Sequence, residues 1–436
     1  MSIFFAAFVS SLIIIGGSLP YGFPLFTPCV IFFFTAYLLR FKNISLDKQF
    51  ILFIGLILSY VLPLGILGTF NSNNIYELIN AASVFSFFII LTTILKSNRQ
   101  FERFTHYFQS FSFLFSFLLA FAGNYKFYLL MQGDKIPILY RSDGTYPWGT
   151  SLVSDYNSFS LCLLIGLISG YYIIKRKNGI VFSIFCSLMF LTIFFSLLLS
   201  ASRRAWISLF LLGCAFAVFT VKDHIKNFSF TFPHFQFNRK KIISAFLLGL
   251  FIFSLSIIAV KAFPSRLQFA HPTHLTSIKN RFMNISDFFE IQPRQFSRLK
   301  LYNYAFELID EYSILHLIIG KGSIYQYLFE QRFNKHGYSY PHNLILSAML
   351  QSGIIGATII VGYLCYCFYI YIFHLNYHDT SFYLIIAILS GFYYLISGNS
   401  IFSSKIFVFF NLLMPLLINI NYRRYFKHDS DAISID

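Results

Sequence analysis

Long apolar runs, separated by short polar connections, constrain this chain more than any other feature of its sequence. A helix needs roughly 20 apolar residues to cross about 30 Å of hydrocarbon. Only 11% of the residues are charged, against about 25% in an ordinary soluble domain. Twelve runs approach or reach a spanning length: 2–17, 24–39, 50–68, 76–95, 106–122, 156–174, 180–199, 205–221, 242–262, 342–372, 381–398 and 402–420. The sequence therefore predicts an all-α polytopic membrane protein with about twelve transmembrane helices.

One long polar segment separates the ninth run from the tenth. It is rich in charged residues and ends in Tyr-Pro-His-Asn, directly before an apolar run. We expect this segment to form one large loop that contains helices. The predicted division of the chain is nine spans in 1–263, the loop in 264–341, three spans in 342–422 and a tail in 423–436.

Two local features of this region are also predicted. Apolar residues recur at helical spacing over 298–319, with Ser297 as a candidate N-cap and Gly320-Lys-Gly322 as the stop. The tenth run is long enough to tilt or to break, and the Gly353–Gly356 region is the predicted place for a break.

Lysine and arginine in the short connections predict the orientation of the spans, because cytoplasmic connections are enriched in both. Here they follow even-numbered spans. They are Arg40, Lys42, Lys48, Lys96, Arg99, Arg103, Lys175, Arg176, Lys177, Lys222, Lys226, Arg239, Lys240, Lys241, Arg423, Arg424 and Lys427. The connection after span ten is the exception, since it carries His374 and His378 instead. Both termini are then predicted inside and the large loop outside.

The net charge of +16 does not indicate a nucleic-acid partner. Much of this charge sets the topology and faces anionic lipid headgroups, and no basic patch interleaved with aromatic residues is present in the sequence. The six cysteines all lie in apolar runs. They are typical of core or lipid-facing positions and do not form the spacing of a metal site.

A pair of arginines, Arg203 and Arg204, lies in a tight outward turn between two apolar spans. Paired guanidinium groups at a membrane surface are unfavourable unless they meet an anion. Arginine is suited to bidentate phosphate contacts. The alternative is that both side chains extend to lipid headgroups. Two adjacent arginines on the disfavoured side of the membrane favour a binding site.

The large loop offers two further candidates. Arg298 falls in the first turn of the predicted helix, where the helix dipole disfavours a cation; a solvated surface arginine is the alternative. His342 follows Pro341 and opens a span, so the positive end of a helix dipole favours its neutral form. A neutral histidine can serve as a general base, and an interfacial histidine that caps the helix is the alternative.

Four motifs together resemble the O-antigen ligase and Wzy-type polymerase superfamily. The first is Arg141-x-x-Gly144 followed by Asp155-Tyr-Asn157, and the second is Ser200-Ala-Ser-Arg203. The third is Arg298 with the later Gly320-Lys-Gly322, and the fourth is His342-Asn343 followed by Gly353-Ile-Ile-Gly356. The resemblance covers roughly residues 136–360. It departs from the family pattern in the longer gap before Asn157 and in Arg204, where a small residue is usual.

The resemblance implies a GT-C-like membrane glycosyltransferase that uses neither a metal nor another cofactor. Members of this superfamily transfer a glycan from a polyprenyl diphosphate, here undecaprenyl diphosphate, to a sugar hydroxyl outside the bacterial inner membrane. By resemblance, His342 is the catalytic base and Arg203 and Arg298 bind the diphosphate. Arg204 and Arg141 are further diphosphate candidates, and Asn343 and Asn157 are supporting residues.

Three functions remain open at this point. A ligase would use lipid A–core as its acceptor, and the long loop with one histidine-centred site favours it. A polymerase would use a second lipid-linked repeat unit as acceptor. A glycolipid flippase would place charged residues inside its spans, whereas the spans here are nearly free of charge. In each case membrane lipids surround the protein.

Overall fold

The computed structural model is helical wherever it describes regular structure. The described residues are 3–16, 72–132, 149–153, 155–176, 179–200, 202–224, 298–322, 324–333, 340–375, 377, 379–396, 398 and 404–433. Their helices are α1 (Ile3–Gly16), α2 (Ser72–Ile94), α3 (Asn98–Gln132), α4 (Tyr156–Lys175), α5 (Ile180–Leu198), α6 (Arg203–His224), α7 (Arg298–Asp310), α8 (Ile314–Ile319), α9 (Ile324–Phe333), α10 (Leu344–Phe373), α11 (Thr380–Leu395), α12 (Lys405–Phe407) and α13 (Met414–Ile433). A π-helical turn, Val408–Leu413, joins the last two.

The prediction of a polytopic membrane protein is confirmed. Among the described residues, five helical segments are long and apolar enough to cross a membrane: α3, α4, α5, α10 and Lys405–Arg423. The predicted spans at 24–39, 50–68 and 242–262 lie outside the described residues. The number twelve therefore stays a prediction.

The described residues form two compact units. The first contains α1, α2, the beginning of α3 as far as Phe111, and α7 to α13. The second contains α3 from Ser112 onward together with α4, α5 and α6. The loop helices and His342 thus belong to the first unit, and the Arg203-Arg204 pair belongs to the second.

Aromatic rings fill the core of the first unit. Phe108 of α3 packs against Phe382 and Tyr383 of α11 and against Phe409 and Phe410 of the π-helical turn. Their ring centroids are 5.9 to 6.4 Å apart. Such edge-to-face and tilted pairs stabilise a core beyond the effect of the buried area alone.

The π-helical turn also supplies hydrogen-bond acceptors to α10. A π-helical turn departs from the regular α-helical pairing of the backbone. Tyr363 donates from its hydroxyl to the Leu412 carbonyl at 3.0 Å, and Tyr371 donates to the Phe410 carbonyl at 2.5 Å. These bonds hold α10 against the last helical segment.

The loop helices and the first turns of α10 share one hydrophobic core. α7, α8 and α9 follow one another through short turns and pack beside α10. The buried side chains of this core are Leu301, Ala305, Leu308, Tyr312, Tyr325, Phe329, Leu346 and Leu350. The beginning of the predicted tenth span is therefore part of the loop's packing.

α10 breaks at Gly353, whose φ is 64° and ψ is −168°. In an unbroken helix the carbonyls of Leu350 and Gln351 would accept hydrogen bonds from residues four positions further along. Here Lys321 N donates to the Leu350 carbonyl at 3.1 Å, and Gly322 N donates to the Gln351 carbonyl at 2.9 Å. The turn that follows α8 satisfies the broken backbone, and the predicted break is confirmed.

Tyr312 supports the same break from the end of α7. Its hydroxyl donates to the Leu350 carbonyl at 3.1 Å, and its ring centroid lies 4.6 Å from Lys321 Nζ. Burial raises the pKa of Tyr312 well above its ordinary value, and the neighbouring Tyr325 raises it further. The hydroxyl therefore keeps its proton and remains a donor.

The prediction of a single helix over 298–319 is wrong. α7 ends at Asp310, and α8 begins at Ile314 behind Ser313, whose side chain accepts from the His316 backbone. Apolar residues keep their spacing across this interruption, so periodicity alone does not reveal it. A serine N-cap decides the start of the second helix. Gly320 ends α8, as the sequence predicted.

Connections that the sequence assigned to one side of the membrane meet at one end of the first unit. Tyr377, which follows α10, donates to the side chain of Asn98 at the start of α3. His374 Nε2 lies 3.1 Å from Asn419 Oδ1 of α13. The connection after α10 lacks lysine and arginine, yet it shares this end with two connections that carry them. The cytoplasmic assignment of this end stays a prediction.

Close approach of helices shapes the second unit. Ser116 Oγ of α3 donates to the Cys162 carbonyl of α4 at 2.8 Å. A methyl group added to Gly166 would collide with Ser116, and one added to Gly170 would collide with the ring of Phe113. Small residues allow such approach between helices in membranes. α5, in contrast, exposes many apolar side chains, as a lipid-facing helix does.

Gly353→Ala should destabilise the protein. The conformation of Gly353 is essentially restricted to glycine, and such strain is worth about 1–3 kcal/mol. An added Cβ would also overlap the carbonyl oxygen of Ile318. Thermal unfolding in lipid nanodiscs should show a lower midpoint.

Gly362→Ala is the matched control, because it lies in the same helix and an added Cβ meets nothing within 4 Å. Its midpoint should stay the same or rise slightly, since alanine favours helix. Equal midpoints for the two variants would contradict the role of the break.

Candidate functional site

Four of the site residues predicted from the sequence, Arg203, Arg204, His342 and Asn343, lie on two polar surfaces. We call residues 199–204 of the second unit the Arg203 turn. We call residues 340–343 of the first unit the His342 segment.

Serine hydroxyl groups build the Arg203 turn. Ser200 Oγ donates to the Leu197 carbonyl at 2.7 Å and so closes the end of α5. Ser202 Oγ donates to Asn157 Oδ1 at 3.0 Å and accepts from Ala205 N at 3.3 Å. Ser202 therefore caps α6 and links it to the beginning of α4.

Asn157 brings a second predicted motif into contact with this turn. Asp155 caps α4, because its Oδ1 accepts from Asn157 N at 3.1 Å and from Ser158 N at 3.3 Å. Ser158 Oγ donates to the other carboxylate oxygen at 2.6 Å. The carboxylate of Asp155 thus holds the helix end, and the side chain of Asn157 is positioned to hold Ser202.

Arg203 and Arg204 are the first two residues of α6, and both side chains are half-buried. The first N–H groups of a helix lack partners within that helix, and the dipole is positive there. Two guanidinium groups at such an end concentrate positive charge. The arrangement can bind an anion with several oxygens, such as a phosphate or a diphosphate.

Sequence reasoning missed two residues of this surface. Thr150 donates from its backbone to the Leu199 carbonyl at 3.1 Å and from its hydroxyl to the Ser196 carbonyl at 2.6 Å. Lys126, only 3% exposed, donates from Nζ to the Ser151 carbonyl at 2.5 Å. A lysine near an outward connection departs from the usual bias, and this signal could have marked Lys126. Nothing in the sequence pairs Thr150 with the end of α5.

His342 holds a strained backbone conformation directly before α10. Its φ is 53°, a left-handed value that is uncommon for a residue with a side chain. Its ring lies over Tyr340, with centroids 4.2 Å apart, and the side chain is half-buried. Such strain tends to occur at functional sites. The side chain is thus oriented by its surroundings and still accessible.

Asn343, and not His342, caps α10. The Asn343 side chain accepts from Ile345 N at 3.0 Å and from Leu346 N at 3.1 Å. The alternative that His342 caps the helix is therefore wrong. His342 directly precedes this cap, near the positive end of the helix dipole.

The structure gives less information on the other two predicted arginines, Arg298 and Arg141. Arg298 is the first residue of α7, in the same unit as His342. Arg141 and the candidate N-cap Ser297 lie outside the described residues.

Within the described ranges, no three His, Cys, Asp or Glu side chains lie close enough together to hold a metal ion. Four cysteines are free thiols: Cys162, Cys186 and Cys367 are buried, and Cys365 is exposed. The metal-free chemistry expected from the sequence stays a prediction.

The fold defines a helical, polytopic membrane protein. Residues 188–361, less than half of the chain, match the family model described as O-Antigen ligase. This confirms the resemblance to the O-antigen ligase and Wzy-type polymerase superfamily. The matched region contains the Arg203 turn, Arg298 and the His342 segment, whereas Arg141 and Asn157 precede it. No curated protein matches the chain.

Asn343→Ala should loosen the beginning of α10, because two backbone N–H groups lose their acceptor. The loss of an asparagine N-cap lowers stability by about 1 kcal/mol. Hydrogen exchange at Ile345 and Leu346 should become faster. Asn343→Asp keeps the acceptor oxygens and should exchange like the wild type. Unchanged exchange in the alanine variant would contradict the assigned cap.

Proposed function

We propose that this protein is an O-antigen ligase. It transfers a glycan from undecaprenyl diphosphate to a sugar hydroxyl of lipid A–core at the periplasmic face of the bacterial inner membrane. The observation that carries the proposal is the His342 segment. It holds a half-buried, strained histidine directly before a capped helix, and it lies within the region that matches the family.

His342 acts as the general base in this proposal. It removes the proton from the acceptor hydroxyl, whose oxygen attacks the anomeric carbon of the donor sugar. The bond between that carbon and the diphosphate oxygen breaks, and the electron pair leaves with undecaprenyl diphosphate. A single displacement inverts the anomeric configuration. The proton then passes from the imidazolium to solvent, which restores the neutral base.

Arg203 and Arg298 bind the diphosphate of the donor. Their guanidinium groups are permanently charged and can contact phosphate oxygens in pairs. Stabilisation of the charge that develops on the leaving group is the electrostatic contribution that a metal makes in other transferases. Arg204 and Arg141 are further candidates for the same role.

Supporting roles follow from the hydrogen bonds around the two surfaces. Asn157 holds Ser202, the residue before Arg203. Asn343 fixes the helix end that follows His342. Neither side chain needs to contact the substrate for these roles.

A Wzy-type polymerase is the second candidate. It would use the same donor chemistry with a second lipid-linked repeat unit as acceptor. We favour the ligase because the chain combines one long loop with a single histidine-centred site. A polymerase would lengthen lipid-linked chains in the absence of lipid A–core.

His342→Ala should abolish transfer and leave donor binding intact, because only the base is removed. Transfer can be measured with purified protein in vesicles that contain lipid-linked glycan and lipid A–core. His316→Ala is the matched control, since it removes another histidine of the same loop region, and it should stay active. Full transfer by His342→Ala would refute the assignment of the base.

Arg203→Ala and Arg298→Ala should each weaken donor binding roughly tenfold to hundredfold, because a hydrogen bond to a charged group is worth about 1.5–3 kcal/mol. Lysine at either position should restore binding only in part, since it lacks the planar paired donors. Arg332→Ala is the control, because Arg332 pairs with Glu311 in an exposed salt bridge. Wild-type donor affinity in both Arg203→Ala and Arg298→Ala would contradict the proposal.

A further inference from the structure

The two segments of α10 have different surroundings. Residues 344–353, all of them described, are mostly buried, and Ile345 is their one exposed large apolar side chain. Beyond the break, apolar side chains become exposed along the helix. They are Ile354, Ile355, Val361, Tyr366, Phe368, Tyr369, Ile372 and Phe373. The surface suited to lipid therefore begins at the break.

The length of the second segment agrees with this boundary. From Ile354 to Phe373 the helix is about 30 Å long at about 1.5 Å per residue, which equals the usual thickness of the hydrocarbon core. The segment after the break can cross the membrane by itself. The first segment then extends beyond the hydrocarbon on the His342 side.

α8 lies at the level of this boundary. The residues that follow it donate hydrogen bonds to the carbonyls of Leu350 and Gln351, and the Ile318 carbonyl lies next to Gly353. No residue of α8 is buried. Ile314, Leu315 and Ile318 are 80%, 60% and 41% exposed.

Polar groups flank α8 but do not cover its apolar side chains. Ser313 caps the helix and pairs with His316 Nδ1 at 2.8 Å. Lys321, at the other end, lies over the ring of Tyr312. Glu311 pairs with Arg332 of α9, and this guanidinium lowers the pKa of Glu311. A short apolar helix between charged flanks is typical of a membrane interface.

We propose that α8 inserts Ile314, Leu315 and Ile318 among the acyl chains of the bilayer leaflet on the His342 side. The occupant of this surface is bulk lipid, because the surface continues the lipid-facing side of α10 at the point where that side begins. α8 anchors the loop helices to the membrane. The first segment of α10 is about 14 Å long, so His342 lies within that distance of the hydrocarbon boundary, among headgroups and their sugars.

Tryptophan emission in nanodiscs with brominated acyl chains tests this insertion directly. Leu315→Trp places the probe on α8, and Ile355→Trp is the lipid-facing reference at the start of the span. Asn303→Trp, on the exposed polar side of α7, is the matched control. The full-length parent chain, which contains Trp148 and Trp206, supplies the emission to subtract. All three substituted side chains are exposed, so the variants should fold.

Leu315→Trp should lose about half or more of its emission in discs brominated near the headgroup, because interfacial helices bury their apolar face about 5–10 Å deep. Ile355→Trp should behave in the same way, and Asn303→Trp should be unaffected. Quenching of Leu315→Trp by aqueous acrylamide, equal to that of Asn303→Trp, would overturn the proposal. Protection from acrylamide without quenching by brominated lipid would also overturn it, since another protein copy or a polyprenyl chain would then cover α8.

Discussion

The hydrogen bonds between the Gly320-Lys-Gly322 turn and the broken backbone of α10 join the loop helices to the span. A break in a membrane helix exposes carbonyl groups that need partners. Here the partners come from the loop that precedes the span in the chain. The break places α8 beside the span and leaves the first turns of α10 inside the loop core. His342 consequently lies directly before a capped helical segment.

In the second unit, serine hydroxyl groups fix the helix ends next to the candidate site residues. Ser200 and Ser202 close one helix and begin the next, and Asn157 ties this turn to α4. Two arginines then occupy the first positions of α6. Each unit thus places a candidate site residue at a helix N-terminus that is fixed by short polar side chains. The proposed chemistry uses one such end for the base and another for the diphosphate.

Sequence reasoning located features that glycines and apolar runs mark directly. The break at Gly353 and the stop at Gly320 belong to conformations that other residues rarely adopt. The lengths of the apolar runs predicted the five described segments that are long enough to cross a membrane. The interruption between α7 and α8 was missed because apolar spacing continues across it. The contacts of Lys126 with Ser151 and of Thr150 with Leu199 join distant parts of the chain, so no local pattern encodes them. The roles of Arg203, Arg298 and His342 came from resemblance, since spacing alone left alternatives open.

Competition between two acceptors tests the central claim most directly. Purified protein in vesicles would receive an undecaprenyl-diphosphate-linked glycan together with equal amounts of lipid A–core and a second lipid-linked glycan. The account predicts that the glycan appears on lipid A–core and that undecaprenyl diphosphate is released. Lengthened lipid-linked chains with unmodified lipid A–core would contradict the ligase assignment. Movement of the donor across the bilayer without any new glycosidic bond would contradict glycosyl transfer altogether.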